Sequence, residues 1–118
     1  MSEHVLGYLA SPYTHKDKYI MHMRFIQVCM VAGKLLEAGH KFYCPIAHTH
    51  PIADYGELPL DDHSLWLPFD EPILSRCDEL WVVEMDGWRE STGIKFEMDF
   101  FKDRIIRFID PDNPVASL

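Results

Sequence analysis

Residues 79–85 read Glu-Leu-Trp-Val-Val-Glu-Met, a short and mostly apolar stretch that Asp86-Gly87 ends. A stretch of this length, bounded by turn residues, is typical of a buried strand. On its carboxyl side, Ser91 can cap a helix from Thr92 to about Arg104, and Ile105 to Ile109 predicts another strand. The carboxyl-terminal part of the chain is therefore expected to run strand, helix, strand.

The amino-terminal part alternates in the same way. Val5 to Ala10 is apolar and meets Ser11-Pro12, which predicts a first strand that ends in a loop. Asp17 to Ala38 contains no proline and places apolar residues three to four apart, so it predicts one long amphipathic helix that ends at Gly39. Lys41 to Cys44 predicts a short second strand.

The middle of the chain is rich in proline. Pro45 to Leu60 holds three prolines and a glycine, and we expect an excursion loop there rather than part of the sheet. Leu60 to Arg76 is helix-like in pieces, with Asp61 or Asp62 as a cap and two internal prolines as interruptions. Because helices and strands alternate at short intervals, the sequence predicts a three-layer α/β fold, flavodoxin-like or Rossmann-like. Its four- or five-stranded parallel sheet would carry helices on both faces.

Length and charge limit the kinds of partner. A chain of 118 residues with 47% hydrophobic and 25% charged residues is expected to form a single domain over residues 1–118. Its 11 lysines and arginines against 19 aspartates and glutamates give a formal charge of -8. A binder of long nucleic acids or of anionic membranes needs a basic face, so we expect neither as a partner.

Cysteine usage and the opening of the chain predict a cytoplasmic protein. The three cysteines are an odd number without a Cys-x-x-Cys pair. They indicate neither a disulfide framework nor a zinc clip, and a reducing compartment fits best. Met1-Ser2-Glu3-His4 does not open an export signal, and no apolar stretch approaches the roughly 20 residues of a membrane span.

Two loops, Ser11 to Lys16 and Asp86 to Ser91, follow predicted strands at the edge of the sheet where such folds bind ligands. The second loop leads into a helix on which Gly93 and Glu97 share one stripe, with Gly93 one turn before the carboxylate. A glycine costs about 1 kcal/mol relative to alanine inside a helix, so its presence suggests that a ligand approaches Glu97 closely. The other interpretation is a loose first turn with Glu97 in solvent.

Asp70 and Tyr8 are the second group of candidates. Asp70 lies eight residues before Asp78, on a segment that must pass close to the start of the strand at residues 79–85. Two carboxylates in different environments can divide the work, one ionised as a nucleophile and the other protonated as a general acid. Alone, Asp70 would be an ordinary surface charge. Tyr8, which could direct its phenol into the same crevice, could equally be a core residue.

Three short motifs follow one another in the chain: Tyr8-Leu9-Ala10-Ser11-Pro12-Tyr13, then Asp70 followed by Cys77-Asp78-Glu79-Leu80-Trp81-Val82-Val83, and then Ser91-x-Gly93-x-x-x-Glu97. Together they resemble the nucleoside 2-deoxyribosyltransferase superfamily, which includes the 2'-deoxynucleoside 5'-monophosphate N-glycosidases, and in particular a branch of short proteins. Their order and spacing carry the resemblance, since each motif alone is of modest specificity. The resemblance implies one nucleoside 2-deoxyribosyltransferase-like domain over residues 1–118.

The implied activity is cleavage of the N-glycosidic bond of a (deoxy)nucleoside or its 5'-monophosphate through a glutamyl-sugar intermediate, by an N-glycosidase or a deoxyribosyltransferase. The resemblance assigns the nucleophile to Glu97 and the acid that handles the leaving base to Asp70, as in retaining glycosidases. It also assigns nucleophile positioning to Tyr8 and a contact with sugar or phosphate to Ser91. Because the attack would use a carboxylate and a protein acid, we expect no metal and no cofactor.

The loop after the first strand departs from the monophosphate-cleaving members of that superfamily, which carry an arginine there. This chain reads Ser11-Pro12-Tyr13-Thr14-His15. A phosphate could still rest on Ser91, Thr92 and the free amides of that helix start. We therefore expect a 5'-monophosphate to bind better than its nucleoside, but only modestly.

Several other residues have competing interpretations. Ser11 is a further candidate substrate contact, and Trp88 in the second loop could stack on a base. His48-Thr49-His50 could share a metal ion, but loop structure or a substrate contact is favoured because no third ligand is evident. Cys77 is expected to be a buried structural thiol, and Glu90 either touches the crevice or favours the helix start by its charge.

Two rival functions stay open. The first is a non-catalytic nucleotide-binding or sensing module, although the presence of both Asp70 and Glu97 favours the enzyme, because binding alone does not need a second carboxylate. The second is an assembly protein in which the helix from Asp17 to Ala38 forms a subunit interface. The Met- and aromatic-rich face of that helix, and the sharing of sites between subunits that the resemblance implies, predict a homo-oligomer, a dimer or a tetramer.

Overall fold

The protein is described here by a computed structural model that covers residues 5–118, so Met1-Ser2-Glu3-His4, on which the expectation about export rests, lies outside the described residues. Its sheet consists of β1 (Leu6–Ala10), β2 (Lys41–Tyr43), β3 (Glu79–Val83) and β4 (Ile105–Ile109). The strands lie in the order β2-β1-β3-β4, and every neighbouring pair is parallel. The predicted parallel sheet is confirmed, with four strands in residues 5–118.

The connections between the strands contain the helices α1 (Lys18–Glu37), α2 (Pro45–Tyr55), α3 (His63–Leu74) and α4 (Thr92–Phe100). The α1 helix confirms its prediction at both ends. Asp17 caps it by accepting a hydrogen bond from the Tyr19 backbone N–H at 2.9 Å, and Gly39 follows it with a φ of 94°, which glycine adopts without strain. None of the helices described between residues 5 and 118 is both long and apolar enough to cross a membrane.

The excursion loop predicted for Pro45 to Leu60 is wrong, because most of this segment forms α2. Pro45 occupies the start of the helix, where a backbone N–H would lack a helical partner in any case. Pro51 lies inside the helix and removes one hydrogen bond, while the Thr49 hydroxyl donates to the Pro45 carbonyl at 2.8 Å. Pro45 therefore marks the start of α2, and Pro51 removes one backbone hydrogen bond without ending the helix.

The segment expected to be helical in pieces is one helix, α3, although Pro68 and Pro72 lie within it. Asp62 is its cap and accepts a hydrogen bond from the Ser64 backbone N–H at 3.1 Å. At the other end, the Arg76 guanidinium donates to the Pro72 carbonyl at 2.7 Å. Capping at both ends compensates for the bonds that the prolines remove.

The α4 helix begins after Ser91 as predicted but ends at Phe100 rather than near Arg104. Phe101 is fully buried against the sheet, and the chain turns there, since the Arg104 backbone N–H donates to the Phe101 carbonyl at 2.8 Å. The burial of one aromatic ring, which local sequence pattern does not reveal, sets this helix end.

The core forms one layer on each face of the sheet. On the first face, buried residues of β1 and β3 pack against α1: Leu9, Trp81 and Val83 against Val28, Val31 and Leu35. On the second face, the alternate strand residues pack against α3 and α4: Tyr8, Ala10, Leu80 and Val82 against Leu74 and Ile94. This is the predicted three-layer, flavodoxin-like fold, and its alternation turns Tyr8 toward α3 and α4.

Candidate active site

A cavity of about 280 Å³ lies at the carboxyl ends of β1 and β3, just below the roughly 300–1,000 Å³ typical of ligand sites. Its walls come from the loop after β1, from α2 and α3, and from the start of α4. Six of the seven candidate site residues line it: Tyr8, Ser11, Asp70, Ser91, Gly93 and Glu97. The fold thus brings together residues that the sequence separates by up to about ninety positions.

Tyr8 directs its hydroxyl at Glu97. The Tyr8 side chain is 1% exposed, and its ring lies 5.9 Å from that of Tyr43. Burial raises the pKa of the Tyr8 phenol, and the charges of Glu97 and Asp70 raise it further, so the phenol keeps its proton. It therefore donates the hydrogen bond that joins it to the Glu97 carboxyl.

Asp70 and Glu97 are both poor acids in this cavity. Burial raises the pKa of Asp70 to about 6. Burial and then the charge of Asp70 raise the pKa of Glu97 to about 8, while the hydrogen bond from Tyr8 acts in the opposite direction. Near neutral pH the two carboxyl groups therefore hold about one proton between them.

Two buried oxygens on the cavity wall lack a hydrogen-bond partner among the described residues, Ser11 Oγ and Asp70 Oδ1. Leaving a buried polar atom unpaired costs roughly 1–3 kcal/mol, so such atoms in a cavity are free to pair with a water or with a polar atom of a ligand. The Tyr43 hydroxyl, on a residue that does not line the cavity, is also buried without a partner among the described residues, and burial and the charge of Asp70 raise its pKa.

Ser91 and Gly93 form the start of α4 beside the cavity. Ser91 Oγ accepts a hydrogen bond from the Ile94 backbone N–H at 3.2 Å, which confirms the predicted cap. A Cβ built on Gly93 would meet only Ser91 Oγ, at 3.8 Å, an ordinary contact. Neither the backbone nor packing requires glycine here, and its missing side chain leaves open space one turn before Glu97.

The ionisable lining of the cavity is acidic. It contains five carboxylic side chains: Asp61, Asp70, Glu71, Glu90 and Glu97. Within residues 5–118, no lysine or arginine lines the cavity. Carboxylates without lysine or arginine neighbours repel an anionic ligand and favour one that is uncharged and supplies hydrogen-bond donors.

A protein-family model described as a domain of unknown function, DUF1937, matches residues 6–109. The chain belongs to the DUF1937 family. The match runs from β1 to β4 and includes every residue that lines the cavity. No curated protein matches the chain.

Trp88 of this DUF1937 domain does not line the cavity, which corrects the expectation that it stacks on a base. Its ring centroid lies 5.5 Å from that of Phe108 on β4, and the Arg89 guanidinium lies 5.0 Å from the centroid of its ring. The short 3-10 turn from Trp88 to Glu90 directs the indole onto the sheet and leaves Glu90 at the cavity.

Sequence reasoning missed Arg24, which ties together the two loops at the mouth of the DUF1937 cavity. Its guanidinium donates to the Thr14 carbonyl at 3.1 Å and, more weakly, to the Asp86 carbonyl at 3.5 Å. These carbonyls belong to the loops after β1 and β3. An arginine within a long helix carries no local signal of such a role, because its partners are distant in the sequence.

The two histidines of His48-Thr49-His50 point to different neighbours. The His48 ring stacks on Phe69 with the ring centroids 6.0 Å apart, and His50 is bonded to Tyr13. In the part of the chain that the structure describes, no group of three or more His, Cys, Asp or Glu side chains is placed to hold a metal ion.

Cys77 confirms its prediction as a buried thiol. It is 2% exposed, and its Sγ donates to the Ile73 carbonyl at 3.4 Å. Burial, with the charge of Asp78, raises the pKa of the thiol to about 11. A protonated and buried thiol is a structural group rather than a nucleophile.

Proposed function

We propose that this DUF1937 domain is an N-glycosidase or deoxyribosyltransferase that cleaves the N-glycosidic bond of a nucleoside through a glutamyl-sugar intermediate, with hydrolysis slightly preferred. One observation carries the proposal: two carboxyl groups with raised pKa values, Asp70 and Glu97, line one cavity, and a buried tyrosine hydroxyl bonds to the second. Clustered, perturbed carboxyl groups in a cleft are typical of acid–base and nucleophilic sites.

In the proposed reaction, a Glu97 carboxylate oxygen attacks the anomeric carbon while the bond from that carbon to the base nitrogen breaks. The electron pair leaves with the base, whose nitrogen receives the proton of Asp70. A glutamyl ester of the sugar and a free base result. Water, losing a proton to the Asp70 carboxylate, then attacks the same carbon and releases the sugar and the Glu97 carboxylate. A second base in place of water would complete a transfer.

The protonation order in the empty cavity is the reverse of the one that this reaction uses. Glu97 is the weaker acid of the two, yet it must be ionised when Asp70 is protonated. The reactive form is therefore a minor arrangement of the pair that holds one proton. The hydrogen bond from Tyr8 favours that form, because it stabilises the Glu97 carboxylate.

The charge of the cavity supports a nucleoside over a 5'-monophosphate. Five carboxylic side chains line it, and the helix start at Ser91 offers only weak partial positive charge against them. This argument opposes the modest preference for the monophosphate expected from the sequence, and we propose the uncharged nucleoside as substrate.

A binding module that lacks turnover is the second candidate. The unpaired Ser11 and Asp70 oxygens support binding of a polar ligand whether or not a reaction follows. The energetic cost of two neighbouring carboxyl groups with raised pKa values favours the enzyme, since an acceptor for a bound ligand need not be buried beside a second acid.

We also propose that the chain self-associates through an exposed stripe on α1, formed by Tyr19, Met23, Ile26 and Met30, which are 37–66% exposed. Lys18 and Glu37 lie at opposite ends of this helix, so an antiparallel pair of α1 helices places opposite charges together at both ends. A cytoplasmic location stays a proposal that rests on the three free cysteines.

Incubation with a panel of 2'-deoxynucleosides, ribonucleosides and their 5'-monophosphates, in the presence of a chelator, tests the function through release of free base. We expect release from at least one 2'-deoxynucleoside and none with Glu97→Ala. Base release by Glu97→Ala at the wild-type rate would exclude the assigned nucleophile. Tight binding of a nucleoside without any release would establish the binding module instead.

A further inference from the structure

Tyr13 lines the cavity, and its hydroxyl is hydrogen-bonded to a buried histidine that does not line it. Tyr13 Oη and His50 Nδ1 are 2.5 Å apart, and His50 is 5% exposed. The His50 ring stacks on Phe25 with the ring centroids 4.2 Å apart and the planes at 23°. Because burial and stacking fix this ring, it also fixes the direction of the hydrogen bond with Tyr13.

A second histidine extends the chain of hydrogen bonds toward the surface. His22 Nδ1 lies 3.4 Å from His50 Nε2, and His22 is exposed. Burial, with the charges of Asp54 and Asp61, raises the pKa of the Tyr13 phenol. Burial and the nearby His22 lower the pKa of His50, while Asp54 acts in the opposite direction. At neutral pH the phenol is therefore protonated and the His50 ring is uncharged.

The chemistry of these groups sets the direction of the chain. A phenol is a better donor than a neutral imidazole N–H, and an imidazole nitrogen is a better acceptor than a phenol oxygen. Tyr13 thus donates its proton to His50 Nδ1, and His50 carries its own proton on Nε2 and donates it to His22. The hydrogen of Tyr13 is already used, so its oxygen offers only lone pairs to the cavity.

We propose that Tyr13 determines specificity in this cavity by accepting a hydrogen bond from an N–H or O–H group of the substrate, with His50 and His22 as positioning residues. The inference rests on the proposed nucleoside function and adds to it the chemical group that the site selects. A nucleoside offers such donors from two sources, the hydroxyls of its sugar and the amino or imino groups of its base.

The rest of the polar wall agrees with this direction. Five carboxylic side chains line it and, apart from the one proton that Asp70 and Glu97 hold between them, supply acceptors, and the hydroxyl proton of Thr49 is used by the Pro45 carbonyl at 2.8 Å. A wall rich in acceptors selects a ligand rich in donors, because an analogue without the donor leaves a desolvated acceptor unpaired.

Tyr13→Phe tests the contact with Tyr13, and Tyr55→Phe is the matched control, because Tyr55 is 88% exposed and does not line the cavity. With the best 2'-deoxynucleoside of the four common ones, we expect Tyr13→Phe to raise KM roughly 2- to 10-fold and to leave kcat nearly unchanged. Nucleoside analogues that lack the 5'-hydroxyl, the 3'-hydroxyl or the donor group of the base show which of these groups donates the hydrogen bond to Tyr13. The rise in KM caused by Tyr13→Phe should disappear for the nucleoside analogue that lacks the group bound to Tyr13.

His50→Phe tests the positioning role, because it keeps an aromatic ring against Phe25 and removes the acceptor for Tyr13. It should raise KM as Tyr13→Phe does, and the double variant should add nothing further. His40→Phe, at a histidine that contacts Trp81 away from the cavity, is the control. A purely structural His50 would lower thermal stability without this shared KM effect.

Histidine side-chain ¹⁵N spectra provide a readout that does not depend on activity. We expect His50 to carry its proton on Nε2 in the wild type, and its Nδ1 resonance to shift in Tyr13→Phe but not in Tyr55→Phe. A proton on Nδ1 of His50, or equal KM values for wild type and Tyr13→Phe with every active nucleoside, would overturn the inference and leave the proposed function standing. Absence of both binding and release for the whole nucleoside panel would instead overturn the proposed function and the substrate contact with it.

Discussion

The Asp70 carboxyl raises the pKa of Glu97, so the two acids of the cavity are coupled across the gap between α3 and α4. Burial alone already weakens both acids, and the charge of Asp70 adds to its effect on Glu97. A proton lost by one group is therefore harder to lose from the other. The pH response of the cavity belongs to the pair rather than to either residue.

This coupling predicts a bell-shaped dependence of kcat/KM on pH. The pair needs one proton for the proposed reaction. We therefore expect kcat/KM to decrease below about pH 6, where both carboxyl groups are protonated, and above about pH 8, where neither is. Initial rates of base release across this range, at substrate concentrations far below KM, measure it. Activity that rises steadily into alkaline solution would contradict a protonated acid.

Asp70→Asn should slow base release by roughly 100- to 10,000-fold for natural nucleosides, because it removes the proton donor for the leaving base. The loss should be smallest for nucleosides whose bases are electron-poor, since these leave without protonation. The variant should also lose the alkaline arm of its pH profile, because no acid remains to lose its proton, and keep the acidic arm that reports ionisation of Glu97. Equal losses for good and poor leaving groups would assign Asp70 to substrate binding.

Glu97→Gln should remove activity and stabilise the fold at high pH. The pKa of Glu97 is raised in the folded protein from 4.5 to about 8, so the wild type loses stability as pH rises through this interval. At about pH 9, the free energy of unfolding of the variant should exceed that of the wild type by roughly 1–3 kcal/mol, and at about pH 5 the two values should be similar. Urea unfolding at both pH values measures the difference. A stability gain of equal size at both pH values would show that the charge of Glu97 is not the cause of the gain.

Gly93→Ala separates a functional glycine from a structural one. Because a Cβ there meets only Ser91 Oγ at 3.8 Å, the fold should tolerate it and gain up to about 1 kcal/mol in helix stability. The methyl group would occupy cavity space one turn before Glu97, so we expect kcat/KM to fall roughly 10- to 100-fold. Gly33→Ala on α1, with no atom within 4 Å of its added Cβ, should give the stability gain without the loss.

The sequence predicts the sheet well because β1 and β3 are short apolar runs, each followed by turn residues. This pattern is typical of a buried parallel strand. The same pattern identifies the two loops at the carboxyl ends of these strands, and six of the seven candidate residues line the cavity there. These parts of the fold can be predicted because they depend on local sequence patterns and not on contacts between distant residues.

The remaining parts depend on contacts that a sequence does not display. Proline content suggests a loop where α2 stands, because a proline that starts a helix and one that breaks a helix look alike without knowledge of the position. The direction in which Trp88 leaves its turn is set by packing on Phe108. Tyr13 and His50 lie 37 residues apart, and their hydrogen bond exists only because α2 covers the loop after β1.

The exposed stripe on α1 predicts self-association that polar substitution should weaken. Met23 and Met30 are 41% and 63% exposed and lie two turns apart on the same face as Ile26. Exchange of both methionines for glutamine keeps side-chain length and helix propensity but removes apolar contact area. We expect Met23→Gln with Met30→Gln to raise the dissociation constant of the dimer by about tenfold or more, measured by sedimentation equilibrium. Tyr55→Gln, which changes an exposed aromatic residue on α2 away from the stripe, is the control and should leave the dissociation constant unchanged. A wild type that sediments as a monomer at high concentration would mean that the stripe is not an interface between copies of this chain.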